Sequence, residues 1–190
     1  MATAGSTGNN TGKIKTNYAR LGHAVQDELQ NLLRELLVFK EPPHLLDGHV
    51  HANQYLSKNL RPHEWAVIQG VQTNLYNNVD VSLMYKIIRN LNLVPPPTRG
   101  WDNQIHPMVS EITIGDDIER IRHRRNEIVH RGNTKVDNSE LANYFLLFKD
   151  IAGRFEMYLC KQNQELVSRI STLKPAVWMK KRKRCISKDY

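Results

Sequence analysis

The chain has 190 residues, of which 24% are charged and 40% hydrophobic, and its formal net charge is +8. This length suits one well-packed domain, and no run of about 20 apolar residues is present to span a membrane. The opening segment lacks the apolar run of a signal peptide, and Cys160 and Cys185 are too few for a disulfide framework. We therefore expect a protein of a reducing, cytoplasmic compartment with no membrane partner.

The first predicted elements are a disordered tail and a long helix. Residues 1–16 are rich in Gly, Ser, Thr and Asn, so they cannot offset their ordering entropy by burying apolar surface. A helix is predicted over Asn17–Phe39 because apolar residues recur at three- and four-residue steps: Tyr18, Leu21, Val25, Leu29, Leu32 and Leu36. Pro42 and Pro43 end it. A weaker helical stretch from His44 to Leu60 follows.

The middle of the chain predicts two further helices and a stiff loop. Pro62 suits the first turn of a helix, and Asp80 is a suitable N-cap for "VSLMYKIIRNL". The proline-rich "PPPTRGW" at Pro95–Trp101 is a loop. "HPMVSEITIG", which starts at His106, is the single candidate strand and is equally compatible with an extended loop.

Two long helices complete the pattern. Asp116 and Asp117 place negative charge at the start of the first, which runs to about Arg131, where Gly132 is expected to close it in the left-handed conformation. Asp137 or Ser139 caps the last helix, whose apolar period continues to Leu159. The predicted fold class is all-α, an up-and-down helical bundle of four main helices plus short accessory helices over residues 17–172.

The predicted basic tail, residues 173–190, carries most of the positive charge. From Lys174 onward seven Lys or Arg stand against Asp189, a net charge of +6, whereas residues 1–173 carry only +2. "MKKRKR" fits a nuclear-import signal, a phosphate-binding tail or a solubilising terminus. Nuclear localisation through Lys180 to Arg184 is therefore the alternative to a cytoplasmic one.

The segment "RHRRNEIVHRG", Arg122 to Gly132, is the strongest candidate site. At 100° per residue, Arg125 falls within the apolar stripe of its helix. An arginine there is explained by a buried ion pair with a carboxylate of another helix, by a subunit interface, or by a functional site.

A polar stripe runs beside the apolar one, because Arg122, Asn126 and His130 follow at i, i+4 and i+8. His130 lies about 140° from Arg125 on an ideal helix, but in its last turn it can swing towards a cleft that Arg125 borders. Arginine holds a phosphate bidentately and histidine titrates near neutral pH. These residue types therefore suit a phosphodiester.

Arg125 followed by Asn126, with four residues between Arg125 and His130, resembles the signature of HEPN domains, named for higher-eukaryote and prokaryote nucleotide binding. "NYARLG" at Asn17, "DVSLMYKIIRNL" at Asp80, "PPPTRGWD" at Pro95 and "GDDIERIRHRRNEIVH" at Gly115 are similar to the HEPN type of the DAZ-interacting zinc-finger ubiquitin ligase. The resemblance covers roughly Asn17 to Leu159. Arg99 and His106 satisfy a looser spacing of the signature, but they lie outside a predicted helix.

The resemblance implies an RNA-binding homodimer with metal-independent endoribonuclease activity on single-stranded RNA. In that reading, Arg125 and His130 are catalytic, Asn126 and Arg122 bind the substrate, no cofactor is required, and the product carries a 2′,3′-cyclic phosphate. The alternative is a non-catalytic dimerisation or scaffold module that binds ubiquitin-pathway or immune-signalling proteins.

No metal site is predicted. The stretch "HLLDGHVH", with His44, Asp47, His49 and His51, is the one sequence that suggests zinc. It lacks a fourth ligand at a recognised spacing, so surface histidines on a loop or short helix explain it better.

Overall fold

The computed structural model describes residues 16–173, and this part of the chain forms α-helices and loops without a β-strand. Its eight helices are α1 (residues 16–40), α2 (Leu46–Ala52), α3 (Gln54–Asn59), α4 (Pro62–Asn74), α5 (Val81–Asn90), α6 (Ile114–Val129), α7 (Asn138–Tyr158) and α8 (Glu165–Thr172). None of them is both long and apolar enough to cross a membrane. Apart from Thr16 and Leu173, the two predicted tails lie outside the described residues.

The long first helix is confirmed, with a feature that the sequence did not indicate. Its α-helical turns are interrupted by a π-helical turn at Ala24–Glu28, before α-helix resumes over Leu29–Lys40. The predicted apolar positions from Leu21 to Leu36 are all buried. A π-helical turn inserts one residue into the helix and is frequent at functional sites.

The core lies between α1, α5, α6 and α7, the four main helices of the prediction. α1 packs against the other three, and α6 packs between α5 and α7. The core side chains of α7, Phe145, Phe148 and Phe155, are almost fully buried, as are the isoleucines of α6 at 118, 121 and 128. Burial of such side chains contributes roughly 1.5–3 kcal/mol each, which makes this cluster the main source of stability.

Side-chain pairs show that α6 runs antiparallel to both of its neighbours along the chain. Tyr85 of α5 bonds to Glu119, whereas Val81, at the start of α5, lies in the same cleft as Val129. On the other side, Tyr144 near the start of α7 donates to Glu127 near the end of α6. The fold is therefore the predicted up-and-down helical bundle.

Local caps explain several boundaries. Asp80 and Asp137 cap α5 and α7 as predicted, since each carboxylate accepts backbone N–H groups of the first turn. The stretch from His44 to Leu60 is two short helices rather than one, because Asn53 adopts an extended conformation and caps α3. "HPMVSEITIG" is loop up to Thr113, the N-cap of α6.

The predicted closure of α6 at Gly132 is wrong. α6 ends at Val129 with His130 as its C-cap, and Gly100 is the glycine with positive φ among the described residues. Arg131 fixes the turn instead, because its guanidinium donates to the carbonyl oxygen of Lys135 at 2.7 Å and also binds Glu140. The chain therefore turns without a left-handed glycine. Cys160 is exposed just beyond the end of α7.

Candidate functional site

The N-terminus of α6 is tied closely to the proline-rich loop. Asp116 accepts four hydrogen bonds, two from Thr113 and two from Thr98. Burial alone would raise the pKa of Asp116, but these hydrogen bonds outweigh it and hold the pKa below its usual value. A Cβ on Gly115 would lie 2.5 Å from the carbonyl oxygen of Pro95, so only glycine permits this close approach.

The next carboxylate of α6, Asp117, is fully buried and bridges two arginines. It accepts a hydrogen bond from Arg120 at 2.8 Å and two from Arg154 of α7, at 2.6 and 2.8 Å. Arg120 also donates to the carbonyl oxygens of Met108 and Glu111. Asp117 therefore joins α6, α7 and the preceding loop.

Glu119 organises a second buried network on the opposite side of α6. It accepts hydrogen bonds from the hydroxyl of Tyr85, from the backbone N–H of Asp102 at 2.9 Å and from Nε of Arg122 at 2.8 Å. The guanidinium of Arg122 also lies over the Tyr85 ring, 5.4 Å from its centroid, and donates to the carbonyl oxygen of Asn103. Arg122 is therefore held by protein groups on several sides.

Arg125 differs from the arginines around it. Each of the other four forms an ion pair, namely Arg120 with Asp117, Arg122 with Glu119, Arg124 with Glu127 and Arg131 with Glu140. Arg125, which is partly buried, forms no ion pair with any residue from 16 to 173. Its Nη1 donates to Oδ1 of Asn126 at 3.1 Å.

Arg125 borders a cleft of about 370 Å³ between the π-helical turn of α1 and the start of α5. Val25 and Asp27 line the cleft from the π-helical turn, and Asp80 lines it from the N-cap of α5. Val129, one helical turn beyond Arg125, is 37% exposed at its edge. The apolar face of α6 is thus incompletely covered where Arg125 lies, as its sequence position indicated.

His130 is exposed at the C-terminus of α6, and its ring makes no hydrogen bond or ion pair with the described part of the chain. Its backbone N–H donates to the carbonyl oxygen of Asn126. Of the four predicted site residues, the structure brings Arg125 and Asn126 into contact, holds Arg122 in the Glu119 network and leaves His130 free at the helix end.

Residues 40–174 match the family model described as "DZIP3/ hRUL138-like HEPN". The chain belongs to the HEPN family. The matched residues include α2 to α8 and begin at the end of α1, so "NYARLG" at Asn17 lies outside them. No curated protein and no solved structure matches the chain.

Three of the four HEPN-like sequence blocks meet in space. The block at Asp80 supplies Tyr85, the block at Pro95 supplies Thr98 and Asp102, and the block at Gly115 supplies the carboxylates that bind them. Trp101 packs edge-on against Tyr85 at 5.5 Å between ring centroids. Many of the residues that resemble the HEPN family therefore form one hydrogen-bond network, which joins α5, the proline-rich loop and α6.

The looser Arg99 and His106 pair forms no common site. Nε of Arg99 donates to both carboxylate oxygens of Glu111, and the His106 ring stacks on His123. The cleft residues Asp27 and Asp80 were not predicted as site residues, because no local pattern marks a π-helical turn or an N-cap as the wall of a cleft. No group of three or more His, Cys, Asp or Glu residues able to hold a metal ion occurs within residues 16–173.

Proposed function

We propose that this HEPN domain binds single-stranded RNA as a homodimer and cleaves it as a metal-independent endoribonuclease, with Arg125 and His130 as its catalytic residues. The observation that carries this proposal is the unpaired guanidinium of Arg125. Its four neighbouring arginines are all neutralised by carboxylates. A partly buried cation without a counter-ion is costly unless a ligand or partner supplies the negative charge, and a phosphodiester supplies it.

The geometry suits phosphate binding by Arg125. Asn126 holds Nη1, which fixes the orientation of the guanidinium and leaves its other N–H groups for the phosphate oxygens. The π-helical turn of α1 forms the facing wall of the cleft, in keeping with the frequent occurrence of such turns at functional sites.

The reaction needs proton transfer at two oxygens. His130 takes the proton of a ribose 2′-hydroxyl, the 2′-oxygen attacks phosphorus, and the bond from phosphorus to the 5′-oxygen breaks. The imidazolium then returns the proton to the 5′-oxygen. Arg125 stabilises the charge that develops on the phosphoryl oxygens. The products are a 2′,3′-cyclic phosphate and a 5′-hydroxyl, and DNA is not a substrate because it lacks the 2′-hydroxyl.

A second copy of the chain completes this site. On an ideal helix His130 lies about 140° from Arg125, so one protomer presents the two groups on different sides of α6. The partly exposed Val129 beside the cleft provides apolar surface for contact between two copies.

Cleavage of a labelled single-stranded RNA in EDTA tests the proposal. We expect wild-type protein to leave cyclic-phosphate ends, and folded His130→Ala and Arg125→Ala variants to lose about 10²- to 10⁴-fold in rate. His51 of α2, which is exposed, and Arg20 of α1, which is partly buried, lie outside the cleft. His51→Ala and Arg20→Ala, which remove the same side-chain types, should therefore cleave as the wild type does.

One observation favours the non-catalytic alternative. Asp27 and Asp80 line the cleft of Arg125, and carboxylates there repel a phosphodiester but attract a basic side chain of a protein partner. A dimerisation or scaffold module for ubiquitin-pathway or immune-signalling proteins would use the cleft in this way. Intact dimers in analytical ultracentrifugation together with no RNA cleavage by the wild type would support it, and Val129→Asp should then dissociate the dimer.

A further inference from the structure

Two stacked histidine rings form a surface feature on the side of α6 that carries His130. The His106 and His123 ring centroids are 4.2 Å apart and their planes differ by 29°. Nε2 of His123 hydrogen-bonds to the carbonyl oxygen of Asn103 at 3.0 Å, and the His123 side chain is only 12% exposed. The inner ring of the stack is therefore fixed in position.

The loop that carries His106 is fixed as well. Asn103, three residues earlier, receives a hydrogen bond from Arg122 at its carbonyl oxygen and one from the backbone N–H of Ile105 at its side chain. Two residues after His106, the carbonyl oxygen of Met108 accepts a hydrogen bond from Arg120. Because both flanks of the loop are hydrogen-bonded to α6, the backbone on either side of His106 is held in place before any ligand arrives.

The outer side of the stack is open. His106 is exposed, and its ring makes no hydrogen bond or ion pair within the described part of the chain. One face of the ring lies on His123, so the exposure comes from the opposite face and the ring edge. Burial, and then the positive charge of Arg124, lowers the pKa of His106, which favours the uncharged ring.

The stack lies on the side of α6 that leads to His130. His123 and His130 are seven residues apart, so they are about 20° apart around the helix axis and roughly 10 Å apart along it. A single-stranded nucleic acid that reaches His130 can therefore extend along α6 to His106.

We propose that the outer face of His106 is a nucleobase-binding subsite, on which one unpaired base of a single-stranded RNA stacks while the strand continues to His130. This inference rests on the proposed RNA-binding function and adds a base-binding residue outside the Arg125 and His130 motif. Unpaired bases are bound by stacking on aromatic and imidazole rings, which tolerates different bases because each has a π-face.

Binding of a 2′-O-methylated single-stranded RNA, which the proposed reaction cannot cleave, tests the subsite separately from catalysis. At one fixed salt concentration we expect His106→Ala to weaken the affinity about tenfold. His106→Phe should keep wild-type affinity because it retains a flat π-surface. His51→Ala is the matched control, since His51 is also exposed and contacts an aromatic ring, Trp65, in another part of the domain.

An abasic version of the same oligonucleotide completes the test, and it should bind equally to wild-type protein and His106→Ala. Wild-type affinity in His106→Ala, or an equal loss in His106→Phe, would overturn the subsite without affecting the proposed nuclease. Binding that depends on His106, together with no cleavage of natural RNA, would support the subsite and overturn the nuclease. No RNA binding by wild-type protein would overturn both.

Discussion

The two halves of α6 use their charged residues in different ways. In the N-terminal half, Asp116, Asp117 and Glu119 are buried, and each accepts hydrogen bonds from several partners. In the C-terminal half, Arg125 lies beside a cleft and His130 lies at the helix end. Neither side chain forms an ion pair within residues 16–173. The first half holds the bundle together, and the second half retains groups that the fold itself does not use.

Most of the residues that resemble the HEPN family therefore lie apart from the residues proposed to be catalytic. The HEPN-like blocks at Asp80, Pro95 and Gly115 converge on the N-terminal half, where buried polar groups must be satisfied for the domain to fold. Stability alone explains those residues. It does not explain Arg125 or His130, so mutations in the two halves should affect different properties.

The largest effect on stability is expected for Asp117→Ala. This change leaves Arg120 and Arg154 without their shared carboxylate, and breaking a buried ion pair from one side costs roughly 3–5 kcal/mol. Urea denaturation should show this loss in the free energy of unfolding. Asp47→Ala, at an exposed position of α2, is the control. A loss below about 1 kcal/mol for Asp117→Ala would contradict the structural role of the N-terminal half.

A smaller loss is expected for Tyr85→Phe. Glu119 loses the Tyr85 hydroxyl as a donor in a buried network, which costs about 1–3 kcal/mol. The exposed Tyr55 provides the matched Tyr55→Phe control, which should unfold at the same urea concentration as the wild type. Equal stability of the two variants would show that the Glu119 network does not need this hydrogen bond.

The stacked histidines predict a weaker effect that depends on pH. Burial, followed by the charge of Arg122, lowers the pKa of His123, and burial followed by Arg124 lowers that of His106, although Glu119 and Glu127 oppose these shifts. Between the lowered pKa and the unfolded value near 6.5, the unfolded chain binds more protons. The contribution of the two uncharged histidines to the free energy of unfolding is therefore fully present above pH 6.5, and it is lost as the pH falls through this range.

Urea denaturation at a series of pH values measures this dependence. In His106→Phe, the free energy of unfolding should decrease less below pH 6.5 than it does in the wild type, because the change removes one titrating ring and keeps the stack. His51→Ala controls for the loss of an exposed imidazole. An unchanged pH dependence in His106→Phe would show that proton binding by the stack does not contribute to it.

The sequence predicted the fold well, because apolar periodicity and caps act locally. The helix over Asn17–Phe39 and the caps at Asp80 and Asp137 depend on residues close in the chain, and all three are confirmed. The π-helical turn and the Asp117 to Arg154 pair depend on contacts between distant segments, which a single sequence does not reveal. Gly132 was a wrong prediction because the side chain of Arg131 fixes the turn by hydrogen bonds to Lys135 and Glu140, which the conformational preference of glycine does not take into account.

The positions of the candidate site residues, though not their roles, were predicted in part for the same reason. Periodicity correctly placed Arg125 on the incompletely covered face of α6, and adjacency in the chain explains its contact with Asn126. Arg122 is held by Glu119, by the Tyr85 ring and by the carbonyl oxygen of Asn103. Two of these groups lie outside α6, so helix geometry alone could not predict that Arg122 is bound by the protein itself. A substrate-binding role for Arg122 stays a prediction.

The smallest effect on stability is expected for Arg125→Ala, and it tests the comparison most directly. Because Arg125 binds no carboxylate in the described chain, its removal should decrease the free energy of unfolding of the isolated domain by no more than about 0.5 kcal/mol. Arg120→Ala, which leaves the buried Asp117 with one cation fewer, should cost several-fold more.

Urea denaturation at a concentration that keeps the protein monomeric provides the comparison. The same Arg125→Ala preparation, assayed at a concentration at which the wild type is dimeric and active, should have lost RNA cleavage. Equal destabilisation by the two arginine variants would mean that Arg125 belongs to the structural half of α6 after all. Loss of cleavage without loss of stability would show that Arg125 acts in cleavage and not in holding the bundle together.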